Sequence, residues 1–283
     1  MLRTFLILGR VSNLPTVWSN CLAGWWLGGK GPVEKLPFLF VGATFLYVGG
    51  MFLNDAFDVE FDRQHRKERP IPSGAMQLRT VWLWGSTCLI IGVASLFCPG
   101  VVPGLLGLAL AGCIVLYDAI HKKTDFSPLL MTACRLLLYL VAASSAIAGI
   151  TTGAVYCGLA LAVYVVGISY LARRESLPGP ARYWPMFLLA APICLALITK
   201  VQTQPEAALL LSAVLGLWIV RSLRYTLDKT VRNIGQTISG LLAGIVFVDW
   251  LAVATAGAPR QFGTIFIVLF LSALLLQKIA PAT

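Results

Sequence analysis

The chain is poor in charge, and poorest in acid. Of 283 residues only 12 are Asp or Glu, and charged residues of both signs make up 12%. A soluble domain carries about 25%, so half that density excludes a water-facing surface over most of the chain. Cysteine is present but unorganised. Cys21, Cys88, Cys98, Cys113, Cys134, Cys157 and Cys194 stand singly in apolar surroundings, odd in number and without a CxxC pair. That pattern argues against a disulfide framework or a zinc site and leaves small buried hydrophobes. No soluble-type repeat or low-complexity run is visible. The opening MLRTFLILGR holds a short apolar run, but Arg10 interrupts it and no small-residue cleavage site follows before Trp18. No removed signal peptide is therefore expected.

Hydrocarbon is what the chain has in abundance: 58% of residues are hydrophobic and the mean hydropathy is +0.82. Apolar segments fall at 12–29, 37–57, 80–98, 101–118, 129–150, 153–172, 184–199, 206–223, 235–256 and 262–278. Most approach the roughly 18–20 residues that cross a bilayer. A bilayer also requires each segment to satisfy its own backbone, which predicts helices. Pro15, Pro103, Pro128 and Pro185 lie near segment starts, where a missing N–H does least harm. The expectation is an all-α, polytopic transmembrane bundle of nine or ten helices, one membrane domain over residues 1–283. The margin of one reflects the polar first segment, with Ser12, Asn13, Ser19 and Asn20, and the last.

The net charge of +10 suggests anionic partners, but in a membrane protein topology explains it first. Of 22 Lys and Arg residues, Arg135 lies within a segment. With the N-terminus inside, only Lys30, Lys35, Lys200 and Arg260 fall outside, and the other seventeen fall inside. That bias predicts an integral protein of a bacterial inner membrane, its N-terminus and longer polar loops facing the cytoplasm, with no nucleic-acid partner. Any active site should open on the same side.

The scarce acids are not spread evenly. Five of the 12, Asp55, Asp58, Glu60, Asp62 and Glu68, fall in FLNDAFDVEFDRQHRKERPIPSG, Phe52 to Gly74. On a helix, Asn54, Asp55, Asp58 and Asp62 share one face. Like charges at these spacings repel, and a membrane boundary adds desolvation. A hard divalent cation offsets both costs, because carboxylates and an amide oxygen are ligands that Mg2+ takes, usually shared with substrate phosphates. Arg63, Arg66, Lys67 and Arg69 follow at once, and guanidinium forks suit the oxygens of a diphosphate. The bland alternative is a solvated loop whose acids and bases neutralise one another.

Asn54-Asp55-x-x-Asp58-x-x-x-Asp62, followed by Arg69-Pro70-x-x-x-Gly74, resembles the first aspartate-rich motif of the UbiA superfamily of intramembrane prenyltransferases. The resemblance extends over most of the chain in the order and polarity of its segments. It implies helices around a central cavity open toward the cytoplasm. It also implies Mg2+ on aspartate-rich motifs, and transfer of a prenyl group from an isoprenyl diphosphate to an aromatic or other lipophilic acceptor. Carried onto this chain, Asn54, Asp55, Asp58 and Asp62 hold the metal, while Arg63, Arg69 and Lys122 meet the diphosphate; Asp58, Asp62 and Lys122 are the catalytic candidates. Lys122 belongs to Tyr117-Asp118-Ala119-Ile120-His121-Lys122-Lys123-Thr124, similar to the family's YPxxKRxT with Asp118 in place of proline.

The pattern departs where a second DxxxD-like motif is expected. Ser169-Tyr170-Leu171-Ala172-Arg173-Arg174-Glu175-Ser176 holds one acid. Glu175 is the candidate second-metal ligand, and Arg173 can clamp the diphosphate in place of a second cation. The departure is similar to the divergent EboC-type branch of the superfamily.

Within the segments, Arg135 is costly in hydrocarbon and should face the interior, either contacting a diphosphate or pairing with Asp118 or Asp58. Asn13 and Asn20, seven apart, share a face that lines an acceptor pocket or joins helices. Asp249 has no catalytic role on this reading. Two other classes compete: an isoprenoid-diphosphate carrier that has lost catalysis, and a transporter. The transporter is disfavoured because the polar residues gather at one membrane face and not at the midplane.

Overall fold

A computed structural model describes residues 2–122, 124, 126–173, 183–200, 204–227 and 233–280, and no strand occurs among them. In chain order the helices are α1 (Leu2–Leu8), α2 (Leu14–Leu27), α3 (Leu36–Phe57), α4 (Val59–His65), α5 (Leu78–Phe97), α6 (Val101–Ile120) and α7 (Ser127–Ser144). There follow α8 (Thr152–Ala172), α9 (Trp184–Leu188), α10 (Ala191–Lys200), α11 (Pro205–Leu227), α12 (Ile234–Thr255) and α13 (Phe262–Leu276).

Seven helices, α3, α5, α6, α7, α8, α11 and α12, are long and apolar enough to cross a bilayer. The chain is thus a multi-pass integral membrane protein. Three expected segments are shorter. α2 has 14 residues and α13 has 15, rising about 21–23 Å against a hydrocarbon core of about 30 Å. The segment at 184–199 is broken into α9 and α10 by a turn at Leu189 and Ala190. The segment expected to reach residue 150 stops being helical at Ser144. There the backbone turns to another loop, Ile147 N–H donating to Lys30 O at 2.7 Å and Ala148 N–H to Gly28 O at 2.8 Å. Paired in this way, these groups need no helix to satisfy them.

α12 and α8 run through the interior, whereas α5 and α6 present Leu83, Ile90, Val102, Leu105 and Leu108 outward. One apolar core joins α8, α11, α12 and α13; a second joins α2, α3, α5, α6 and α7. α1 folds back so that Phe5 meets Phe52 and Trp84 edge-on.

The α3–α5 seam sets where the carboxylates stand. A Cβ on Gly49 would lie 2.9 Å from Gly85 O, and one on Gly42 would lie 3.0 Å from Gly92 O. In lipid, where exclusion of water does not drive helices together, such close backbone approach supplies the packing. Gly49→Val should therefore push α3 off α5 and cost about 1–3 kcal/mol by overpacking. Gly112→Ala, with nothing within 4 Å of the new methyl, should be neutral or slightly stabilising. Thermal unfolding of the two variants in detergent checks the opposite signs.

Candidate functional site

α3 gives way to α4 at Asp58, whose ψ of −2° interrupts the helical run. Around this joint Asn54, Asp55, Asp58 and Asp62 are all buried, none more than 8% exposed. Their side chains do not meet as one stripe; each finds a different neighbour. Asn54 Nδ2 donates to Asp118 Oδ1 at 3.0 Å. Asp55 accepts from Arg69 Nη1 at 3.2 Å, and Arg10 Nη2 lies at 3.8 Å. Asp58 pairs with Lys122 Nζ at 2.8 Å, and His121 Nε2 lies at 3.4 Å, an ion pair when the ring is protonated. The Lys122 ammonium also sits 3.8 Å from the centre of the Phe61 ring. Two buried oxygens, Asp62 Oδ1 and Asp118 Oδ2, have no hydrogen-bond partner among the described residues.

Local sequence explains how Arg69 reaches an acid 14 residues earlier. Pro70 and Pro72 cannot continue α4, and Gly74 takes a φ of 77°, a region glycine enters without penalty. Ser73 N–H donates to Arg69 O and Met76 N–H to Pro70 O, both at 3.0 Å, closing the loop on itself with Ile71 buried beneath. Arg10 arrives by a similar device: its φ of 40° turns the chain between α1 and α2.

Burial pushes the Asp58 carboxyl up, but the hydrogen bonds and charges of His121 and Lys122 outweigh it and hold it below the usual aspartate range. For Asp62 burial wins. Arg69 opposes it, the Asp58 charge adds to it, and the group is raised.

Behind this cluster a cavity of about 180 Å³ runs between α2, α3, α6 and α7. Its polar end is made by Arg10, Asn54, Tyr117 and Asp118; Val17, Ala43, Leu46, Leu110 and Leu138 line the hydrocarbon walls.

Most residues singled out by pattern come together here: Asn54, Asp55, Asp58, Asp62, Arg69 and Lys122. Arg63 does not join them, because it pairs with Glu60 at 2.7 Å on the exposed face of α4. Arg173 Nη2 donates to Thr124 O at 3.0 Å, which ties the end of α8 to the loop after α6. Glu175 lies outside the described residues. Arg135 pairs with neither Asp118 nor Asp58; its hydrogen bonds go to Thr16 and Asn20 on α2. Two contributors escaped the sequence reading. Arg10 looked like an interruption of an apolar run, and Asp118 like a replaced proline. A lone charge beside an apolar segment was the available signal for both.

No group of three or more His, Cys, Asp or Glu side chains among the described residues converges tightly enough to cage a cation. The two unpartnered carboxylate oxygens nevertheless fit a hard divalent ion that keeps waters and shares a substrate's phosphates.

The order of elements, the joint at Asp58 and the adjoining cavity, whose polar end holds Arg10, Asn54 and Asp118, define an intramembrane helical bundle with a carboxylate cluster beside its cavity. The chain belongs to the UbiA prenyltransferase family, whose model matches residues 13–229. Curated relatives include digeranylgeranylglyceryl phosphate synthase of Methanocaldococcus jannaschii, 34% identical over 99 residues, or 34% of this chain and 35% of that protein. The same-named protein of Metallosphaera sedula is 28% identical over 138 residues, 48% of this chain and 49% of that protein. The chain thus spans between a third and a half of the length of these relatives. Among solved structures, a UbiA homolog from Aeropyrum pernix K1 superposes with a TM-score of 0.67 at 17% identity, over 86% of this chain and 96% of that one. A UbiA homolog from Archaeoglobus fulgidus bound to GPP and Mg2+ gives 0.55 at 12% identity, over 97% and 99%. At these identities the likeness establishes the fold.

The pairing of Asp58 makes stability depend on pH. A carboxyl held low in the folded state stabilises the fold above its unfolded titration range, and the gain is lost as pH falls through the depressed folded value. Wild type should exceed Asp58→Asn by about 1–2 kcal/mol at pH 7. That advantage should begin to shrink as pH falls below the ordinary aspartate value near 4 and be lost as pH passes through the depressed folded value. Melting curves of both proteins in detergent from pH 2 to 7 check it.

Proposed function

We propose that the protein transfers a prenyl group from an isoprenyl diphosphate to a lipophilic acceptor within the membrane, with Mg2+ as cofactor. One observation carries the reading: buried carboxylates with unused oxygens, paired with Arg10, Arg69 and Lys122, stand beside an apolar cavity whose polar end Arg10, Asn54 and Asp118 line. An acidic cluster alone would repel a diphosphate, and a basic cluster alone would not bind a cation. Both together suit a metal–diphosphate pair. The A. fulgidus homologues bound to GPP with Mg2+ and to DMAPP with Mg2+ support this reading, as do the relatives named digeranylgeranylglyceryl phosphate synthase.

On this reading Asn54, Asp58 and Asp62 hold the ion, with Asp118 Oδ2 within the same buried patch. When bound, Mg2+ neutralises charge that develops on the departing diphosphate. Lys122 and Arg69 leave their carboxylate partners for diphosphate oxygens, which is electrostatic stabilisation of the leaving group. Arg173 adds positive charge where the family's second motif would place acids. The hydrocarbon walls exclude water from the allylic cation until the acceptor attacks. The seventeen-to-four distribution of basic residues supports a cytoplasmic mouth and N-terminus, and the run of helix contacts from α1 to α13 supports one domain.

A carrier that binds isoprenyl diphosphate without turnover is the second reading, favoured by the single acid at Glu175 in the stretch 169–176. Membranes containing the protein, incubated with labelled prenyl diphosphates of several lengths and a lipid extract, separate the two. Transfer predicts Mg2+-dependent product and pyrophosphate, with Asp58→Asn at least about 100-fold slower, the loss that follows removal of one stabilising group. Release of intact diphosphate without pyrophosphate would establish the carrier.

A further inference from the structure

A second cavity, of about 480 Å³, lies apart from the first, between α11, α12 and the end of α13. Thr199, just before α11, and Thr255, at the end of α12, share another space with Leu27, the end of α2 remote from Arg10. The second cavity therefore opens at the opposite end of the bundle, the one that carries the carboxylate cluster. Trp218 forms part of its wall, its Nε1–H donating to Gly240 O at 2.7 Å and its ring set edge-on to Phe270 of α13 at 4.8 Å. Gln277 Nε2 donates to Ser239 O at 3.0 Å and ties the end of α13 to α12 there.

The two outer helices change character at the same level. Along α11, Leu210, Leu217, Arg221 and Arg224 follow at steps of seven, four and three, hence on one face, and all four are exposed. Along α13 and the turn after it, exposed Val268, Leu271, Leu275 and Lys278 repeat the pattern. Each stripe passes from hydrocarbon to a base within about one helical turn, the change expected where acyl chains give way to headgroups. Bases at a membrane boundary are ordinary; a cavity between helices with an arginine laid on its wall is not. Arg221 lies over the Trp218 ring at 4.8 Å, which steadies the guanidinium while its five N–H donors stay unspent. It forms no hydrogen bond or ion pair with any described residue, and the side chain of Gln236, which also lines the cavity, forms none either. From 221 to 232 the sequence carries four bases against one acid.

We propose that this cleft binds one anionic phospholipid of the surrounding bilayer, its phosphodiester on Arg221 and Gln236 and its acyl chains along Leu217 and Leu275. The site is separate from the prenyl-transfer cavity and stands whether or not that reading does. Three features favour this occupant. The volume falls within the range of about 300–1,000 Å³ usual for ligand pockets. A guanidinium fork matches phosphate oxygens through parallel N–H donors. The hydrocarbon stripes beside the bases suit an amphiphile and give a free ion nothing. A net negative headgroup is required, because a choline would add positive charge among Arg221, Arg224 and Lys278. On the orientation proposed above the cleft faces the cytoplasmic leaflet, where basic pockets between helices take anionic headgroups. A lipid held there bridges α11 and α13 beyond the contact of Trp218 with Phe270.

Native mass spectrometry of the purified full chain in detergent, titrated with phosphatidylglycerol and phosphatidylcholine of identical acyl chains, tests this. Wild type should retain one phosphatidylglycerol with at least about fivefold preference over phosphatidylcholine, the effect of roughly one base near an anionic headgroup. Arg221→Gln, an exposed position, should bring the preference to within about twofold. Arg260→Gln, at the other end of the bundle and paired with Glu206, should leave it intact. Millimolar inorganic phosphate should not displace the lipid; displacement would show a site for a free ion and overturn the proposal. Equal retention of the two lipids by wild type overturns it whatever the variants do. So does an Arg221→Gln protein that keeps the full preference, which would place the anionic lipid elsewhere on the surface.

Discussion

The compensation of charge at one end of a hydrocarbon bundle is the constraint on which the rest depends. Four oxygen-bearing side chains on nine residues of chain are buried where α3 meets α4, and no membrane helix tolerates that without positive partners. Those partners come from three other places: Arg10 from the turn before α2, Arg69 from the loop before α5, and Lys122 from the end of α6. Each is held by a local backbone device, a left-handed residue, a proline–glycine loop or a helix end. The close α3–α5 seam at Gly42, Gly49, Gly85 and Gly92 then keeps the acids at a fixed height beside the loop that returns Arg69.

The polarity of the interior follows a similar rule. A cation at Arg135 survives in hydrocarbon because Thr16 and Asn20 on α2 accept from it and Asp249 on α12 sits behind them. α2, α7 and α12 are thereby joined by hydrogen bonds as well as by packing. The two polar regions of the cavity differ in kind. The mouth is rich in matched acids and bases; the far wall carries a guanidinium whose nearest acid is one amide away.

How far the sequence could be read depended on the range of the interaction involved. The apolar segments and the NDxxDxxxD spacing are local, and both were legible: every apolar segment is helical over most of its length, though 184–199 is broken at Leu189 and Ala190, and Asn54, Asp58, Asp62, Arg69 and Lys122 gather at one site. The helix ends were less legible. The end of α7 at Ser144 depends on hydrogen bonds to residues 28–30 from a distant loop. The role of Arg10 depends on a fold-back that puts a residue near the N-terminus beside Asp55. Arg135 was rightly placed in the interior, yet its partners were misjudged, since helical phase alone does not say which neighbour it meets.

By itself, the sequence determined that the chain lies in a membrane, that it is helical, and that oxygen-bearing side chains crowd one helix end. Each of these follows from composition or from spacing within a few turns, which covalent geometry and the bilayer enforce directly. Only the tertiary structure decided which cation faces which acid, that Arg63 points away to Glu60, and that Asn20 bridges Arg135 to Asp249. Those pairings join residues up to 229 positions apart. They are selected by how helices pack, and the order of residues along one helix carries no record of that choice.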